Sequence, residues 1–245
     1  MHDYPLNAAA PTSIAVSVRE VVRHFGRFAA LRGITAEFAA GRLYVLLGEN
    51  GAGKSTLLRI IAGLLAPTRG MVSVLGTSNI REVAPRFGYM GHAPLLYDEM
   101  SAMENLEYFA ALYGVTSRER CAEAIRTVGL DPGLDRRVGQ YSQGMRQRIS
   151  LARAIVHSPE LLFLDEPFSN VDLRSARQMT GLLAGMRDHG TTVFVVTHQA
   201  ALMEPVADEC VVLDAGRMVA REKGIPARLL TPYPAQEHAD AEARR

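Results

Sequence analysis

Charge of one sign is missing from this chain. Its 27 basic and 26 acidic residues leave a formal net charge of +1. Both signs are scattered, so the chain carries no basic footprint for nucleic acid. Long apolar runs are missing too: none approaches the roughly 18–20 residues needed to cross a bilayer. Met1-His2-Asp3-Tyr4-Pro5 lacks the basic region and apolar core of a signal peptide. Any membrane role is therefore expected to come through a partner. Cysteine is scarce. Cys121 and Cys210 stand far apart without metal-ligand spacing and read as reduced, inert thiols of a cytosolic protein. Lysine is as scarce, occurring only at Lys54 and Lys223.

What the chain does have is length and apolar residues. Its 245 residues, 48% of them hydrophobic, suit one α/β domain with a large core, or a domain with an inserted lobe. The stretch that organises it is Gly48-Glu49-Asn50-Gly51-Ala52-Gly53-Lys54-Ser55-Thr56. Before it, Leu43-Tyr44-Val45-Leu46-Leu47 suits a buried parallel strand. After it, Leu57 to Ala62 reads as a helix with Gly63 as its stop. Strand, glycine-rich loop and helix is the context in which G-x-x-x-x-G-K-[ST] cradles a nucleotide phosphate. Gly48, Gly51 and Gly53 let successive N–H groups turn inward, and the helix points its positive end at the same spot. Lys54 brings a compact charge to the β- and γ-phosphates, and the Ser55 hydroxyl can ligate Mg²⁺. The plainer alternative is a glycine turn capped by a serine. Against it stands the scarcity of lysine: a chain built on Arg spends one of two lysines here, where a guanidinium fork would not act as a point charge.

Residues before about Ile14 are Ala/Pro-rich and expected to be disordered. Ile14 to Val18 alternates as a strand, and Ile34 to Phe38 is strand-like. Between them lies Phe25, beside Gly26; it stacks on a nucleotide base or fills a hairpin core. Pro67 to Gly70 is expected as a turn, Met71 to Val74 as a strand, and Gly88 to His92 as a strand end running into a loop. From Ser101 to Gly139 the texture turns helical. Met103, Leu106, Phe109, Ala110 and Tyr113 form one apolar stripe, and Ala122, Ile125 and Val128 a shorter one. This is a helical lobe placed between strands, spanning about 93–157.

Ser142 N-caps the next helix, where Met145, Ile149, Ala152 and Val156 keep helical spacing. The cap alone is one reading; an exposed helix start offering N–H groups and a hydroxyl to an anion is the other. Leu161-Leu162-Phe163-Leu164-Asp165-Glu166 is a buried strand with two carboxylates at its C-terminal end, where open α/β sheets bind ligands. Asp165 can hold the Mg²⁺ shell, and Glu166 can orient or deprotonate a water. Ser169 to Asp172 forms a loop, Leu173 to Met186 a helix, and Thr191 to His198 another buried strand. A lone histidine is usually structural, but His198 ends at the same sheet edge as Asp165 and Glu166. Val211 to Val219 closes as a hairpin, and the tail, residues 231–245, is expected to be loose.

Taken in order, these motifs resemble the ATP-binding subunit of an ABC transporter, over about Ile14 to Leu230. Five elements carry the resemblance: the loop Gly48–Thr56, the signature Ser142-Gln143-Gly144-Met145, the strand ending Asp165-Glu166, Ser169–Asp172 as the D-loop, and His198 as the switch histidine. Phe25 falls where the family has its adenine-stacking aromatic. Two positions depart. Gln143 replaces the first glycine of the usual LSGGQ and must direct its side chain away from the nucleotide. His92 stands near the family's loop glutamine, where only a neutral ring would suit a metal site. The region of His92 to Tyr97 with Glu104-Asn105-Leu106 is nearer in look to haem and drug exporter subunits.

The resemblance implies a P-loop NTPase core with a mainly parallel sheet, an N-terminal antiparallel β subdomain and the helical insertion. It implies ATP and Mg²⁺ as cofactors, and hydrolysis between two subunits, expected as a homodimer. Loop residues 48–56, among them Asn50, Ala52 and Thr56, with Phe25 and His92 would hold one nucleotide, and Ser142 and Gly144 would face that of the second subunit. Glu166, His198 and Lys54 would be catalytic; Ser55 and Asp165 would hold the metal. A transmembrane permease subunit would dock on the helical lobe, placing the chain peripherally on the inner membrane face. The competing reading is a soluble ABC-type ATPase acting on nucleic acid or ribosomes. The interval between loop and signature has no sustained heptads, and there is one cassette, so no nucleic-acid partner is expected. A small-molecule kinase would leave Ser142–Met145 without a purpose.

Overall fold

The computed structural model describes residues 13–230. The disorder expected before Ile14 and the loose tail expected from 231 fall outside the described residues, residue 13 apart. Strands β1 (Ile14–Phe25) and β2 (Phe28–Ala39) form an antiparallel hairpin, with Phe25 opposite Phe28 at its tip. Strand β3 (Leu43–Leu47) is buried at every position and runs through loop 48–53 into helix α1 (Lys54–Ile61). Strand β4 (Arg69–Val74) returns to pair with β1, giving a three-stranded sheet in the order β2-β1-β4. Arg69 and Gly70, read from sequence as part of a turn, belong to β4 because Arg69 pairs with Val22.

Short α2 (Ile80–Val83) leads into β5 (Phe87–Met90). Three helices follow before the next strand: α3 (Ala102–Leu112), α4 (Arg118–Thr127) and α5 (Gln143–Ile155). Then come β6 (Leu161–Asp165), α6 (Leu173–Asp188), β7 (Thr192–Val196), α7 (Ala200–Met203), β8 (Glu209–Asp214) and β9 (Arg217–Lys223). The second sheet has six strands in the order β5-β6-β7-β3-β8-β9, parallel except for β9. This is the α/β architecture expected from the strand–loop–helix pattern.

A side chain points to opposite faces on successive strand residues, and both faces of this sheet are covered. Leu43, Val45, Leu162, Leu164, Val193 and Val195 join the core under α3–α6. Their alternates, Tyr44, Leu46, Leu161, Phe163, Phe194 and Val196, join the core between α1 and the antiparallel sheet. Pairing puts Phe194 opposite both Phe163 and Tyr44. The three rings stack at centroid spacings of 5.5 and 5.1 Å, and Phe38 caps the row edge-on. Each such ring removes on the order of 1.5–3 kcal/mol of apolar surface cost from water.

Helices α3 to α6 are capped locally. Ser101 and Glu104 form a reciprocal capping box on α3, and Ser117, Ser142 and Asp172 cap α4, α5 and α6. Each cap contributes about 1 kcal/mol. The apolar stripe on α3 is turned from its sequence reading. Its buried face is Ala102, Met103, Asn105, Leu106 and Ala110, while Phe109 is half-buried and Tyr113 is exposed. Asn105 can be buried because its amide donates to the carbonyls of Tyr97 and Ser101 and accepts from Tyr97 N. Tyr113 instead stacks flat on His157 at 3.8 Å.

Candidate functional site

Strands β6, β7 and β3 are adjacent and parallel, so their C-terminal ends share one edge. Val196 pairs with Asp165 on one side and Leu46 on the other. Loop 48–56, Asp165-Glu166 and Thr197-His198 therefore leave the sheet together.

The loop is shaped by close approach. A Cβ on Gly48, where φ is +139°, would sit 2.1 Å from the Leu213 carbonyl oxygen. One on Gly53, at φ +103°, would sit 2.6 Å from that of Ala30. Only glycine fits either position, because strands β8 and β2 close on the loop from outside. Gly53 starts α1 without a side-chain cap, leaving first-turn N–H groups free for an anion. Asn50 and Gly51 are exposed, Ala52 is buried and Thr56 half-buried. Lys54 is buried, and its Nζ donates to the carbonyls of Gly48 at 2.8 Å and Glu49 at 2.9 Å. Burial pulls its pKa below 10.5, against the opposing pull of the Glu166 and Asp165 carboxylates.

Ser55 Oγ donates to Asp165 Oδ1 at 2.7 Å, and Asp165 is only 2% exposed. A hydroxyl and a carboxylate are hard oxygen donors of the kind Mg²⁺ takes, with phosphate and water completing its shell. Among the described residues no cluster of three or more His, Cys, Asp or Glu could hold a metal. The donor set thus fits a magnesium carried with a nucleotide, not a protein cage.

Glu166 adopts a left-handed backbone, φ +55°, although it is neither glycine nor asparagine and precedes Pro167. Three main-chain bonds hold it: its N–H donates to Val196 O at 2.8 Å, and its carbonyl accepts from Gln147 Nε2 at 3.0 Å and Ser169 N at 3.3 Å. Its side-chain Oε2 lies 2.9 Å from His198 Nδ1. The imidazole is otherwise exposed, so the Glu166–His198 pair faces open space.

The remaining candidates lie apart from this cluster. Ser142 Oγ accepts from Met145 N at 3.2 Å as the cap of α5, and neither Ser142 nor Gly144 is bonded to loop 48–56. A Cβ on Gly144 would come within 3.1 Å of the Asn170 carbonyl, so the helix start abuts the loop after β6. Phe25 is 47% exposed at the hairpin tip, with the Arg23 guanidinium 4.6 Å from its ring centroid. Its reading as a hairpin-core aromatic is thereby corrected. His92 is exposed two residues beyond the end of β5, with no hydrogen-bond partner among the described residues. Sequence reasoning missed Gln147, which lies off the apolar stripe of α5 and gave no signal; its contact with Glu166 exists only in the folded chain.

Residues 31–169 match the family model described as ABC transporter. The chain is 34% identical to the ABC transporter ATP-binding protein NatA of Bacillus subtilis (strain 168), over 78% of this chain and 81% of that protein. It is 37% identical to the daunorubicin/doxorubicin resistance ATP-binding protein DrrA of Streptomyces peucetius, over 84% of this chain and 64% of that one. The dimeric post-hydrolysis structure of the ATP-binding cassette MJ0796, bound to ADP and Pi, is similar to it. The TM-score is 0.78 and the identity 25%, over 89% of this chain and 100% of that one. With more than half its length inside the family model, the chain belongs to the ABC transporter family, as an ATP-binding cassette.

Proposed function

We propose that this chain is the ATP-hydrolysing subunit of an ABC membrane transporter, and that it works as an exporter. The observation that carries the reading is the meeting of Lys54, the Ser55–Asp165 pair and the Glu166–His198 pair at one sheet edge. Residues 14–230 act as a single cassette with the helical insertion at about 93–157. The drug-resistance relative DrrA supports export as the direction.

In this mechanism the free N–H groups of loop 48–56 and the start of α1 take the phosphates of ATP. Lys54 Nζ exchanges the two loop carbonyls for the β- and γ-phosphate oxygens. Phe25, exposed at the tip of the β1–β2 hairpin, receives the adenine ring. Ser55 and Asp165 would hold Mg²⁺, which when bound would offset charge on the β- and γ-phosphates. Glu166 accepts a hydrogen bond from the attacking water and aligns it with the γ-phosphorus. The new P–O bond forms as the bond to the β-phosphate oxygen breaks and the water's proton passes to the Glu166 carboxylate, releasing ADP and phosphate. Lys54 and His198 stabilise charge developing on the γ-phosphoryl. His92 reaches the same nucleotide.

Ser142, exposed at the start of α5, and Gly144 face the nucleotide of a second copy, so that ATP joins two subunits and hydrolysis parts them. No described helix is long and apolar enough to cross a membrane. Movement is passed to a permease docked on the helical lobe, at the inner membrane face. Phosphate release by the purified chain with Mg-ATP, and vesicle transport after reconstitution with its co-purifying polytopic partner, test the proposal. Absence of phosphate release with and without that partner would overturn the ATPase reading, and inward movement alone would overturn export.

A further inference from the structure

We infer that Gln147 is a positioning residue for hydrolysis, acting through the main chain of Glu166; the inference rests on the carboxylate role proposed above. Gln147 lies on α5 and is 5% exposed. Its amide Nε2 donates to the Glu166 carbonyl at 3.0 Å. A buried amide so committed costs free energy unless its partner stays in place.

The carbonyl it holds belongs to a residue in a strained conformation. At φ +55° a Glu that precedes a proline lies outside its ordinary backbone regions, a strain that persists only where surroundings impose it. The surroundings here are few. Val196 O takes the Glu166 N–H, Ser169 N reaches the carbonyl at a longer 3.3 Å, and among the described residues Gln147 supplies the only side-chain bond to that peptide. The backbone conformation sets the direction of the side chain, which places Oε2 2.9 Å from His198 Nδ1. Without the amide bond, the peptide relaxes and the carboxylate swings off line.

The bond also ties two sites. Gln147 sits five residues into the helix that Ser142 caps, about 7.5 Å along its axis, and Gly144 abuts Asn170 in the loop after β6. The helix start proposed to meet the second subunit's nucleotide is thus braced against this subunit's own Glu166. Catalytic geometry in one site follows the seating of the other.

The test compares steady-state phosphate release by the full chain with Gln147→Met, which keeps length and removes the donor. The expected result is a kcat about 10- to 100-fold lower, a KM for ATP within about twofold and an unchanged thermal melt. Combined with Glu166→Gln, the Gln147→Met change should cost nothing further in single-turnover hydrolysis, because both act at one group. Should Gln147→Met not fold, Gln147→Asn, one methylene short of the carbonyl, must give the same kcat-against-KM split. An undiminished kcat, a parallel rise in KM, or a full additive loss on the Glu166→Gln background would overturn the inference. Full turnover by Glu166→Gln alone would instead remove the carboxylate role, and this positioning with it.

Discussion

Ser55 Oγ donates to Asp165 Oδ1 at 2.7 Å, although 110 residues separate them in the chain. One stands at the first turn of α1 and the other at the last residue of β6. They meet because β3 and β6 flank β7 in a parallel sheet, which brings loop and strand end to one edge.

Removal of either partner should separate nucleotide binding from its magnesium dependence. For Ser55→Ala and Asp165→Asn, titration calorimetry should show ATP affinity in Mg²⁺ falling about tenfold or more, while affinity in EDTA changes little. Undiminished affinity in Mg²⁺ would take the metal away from this pair.

Glu166→Gln keeps the shape of the side chain and discards its charge. ATP affinity should hold, turnover should fall on the order of 10²–10³-fold, and size-exclusion chromatography should capture an ATP-bound dimer. Rapid hydrolysis by this variant would remove Glu166 from its assigned part.

Lys54 carries a pH signature. Burial holds its pKa below 10.5 in the folded chain, so the unfolded state binds the proton more tightly. The cost of the charged group is complete below the folded pKa and is relieved as pH rises through it towards 10.5. Phosphate oxygens would raise that pKa again. ATP binding should therefore take up protons in the alkaline window below 10.5. Calorimetry in buffers of differing ionisation enthalpy reads this directly. Lys54→Ala should abolish the uptake and weaken ATP binding about 100-fold or more, from the loss of two charge-assisted bonds of about 1.5–3 kcal/mol each.

Gly48→Ala tests the loop itself. Its methyl would meet the Leu213 carbonyl at 2.1 Å in a backbone region closed to alanine. Chemical denaturation should show a loss of about 2–4 kcal/mol, with nucleotide binding lost in parallel. A stable variant that binds ATP normally would mean that β8 does not clamp the loop.

The residues Leu43–Ser55 and Leu161–Glu166 disclose strand, cradle and carboxylates in the sequence because each is a contiguous run with its own local physics. Apolar residues must be buried, glycines must turn, and an adjacent pair of carboxylates must lie at a strand end. The turn of α3 that exposes Tyr113 and buries Asn105 was not legible, since it depends on hydrogen bonds to Tyr97 and on the ring of His157. Nor was the exposure of Phe25, decided by a hairpin that runs its full length to Phe28. Gln147 carries no mark at all in the sequence. Which groups exist and which short segments they belong to is written in the chain, whereas the strained peptide at Glu166, its amide brace and the carbonyls that press on Gly48 and Gly53 arise only when distant strands pair. Contacts between remote segments depend on sheet order and register, and no local pattern of side chains encodes either.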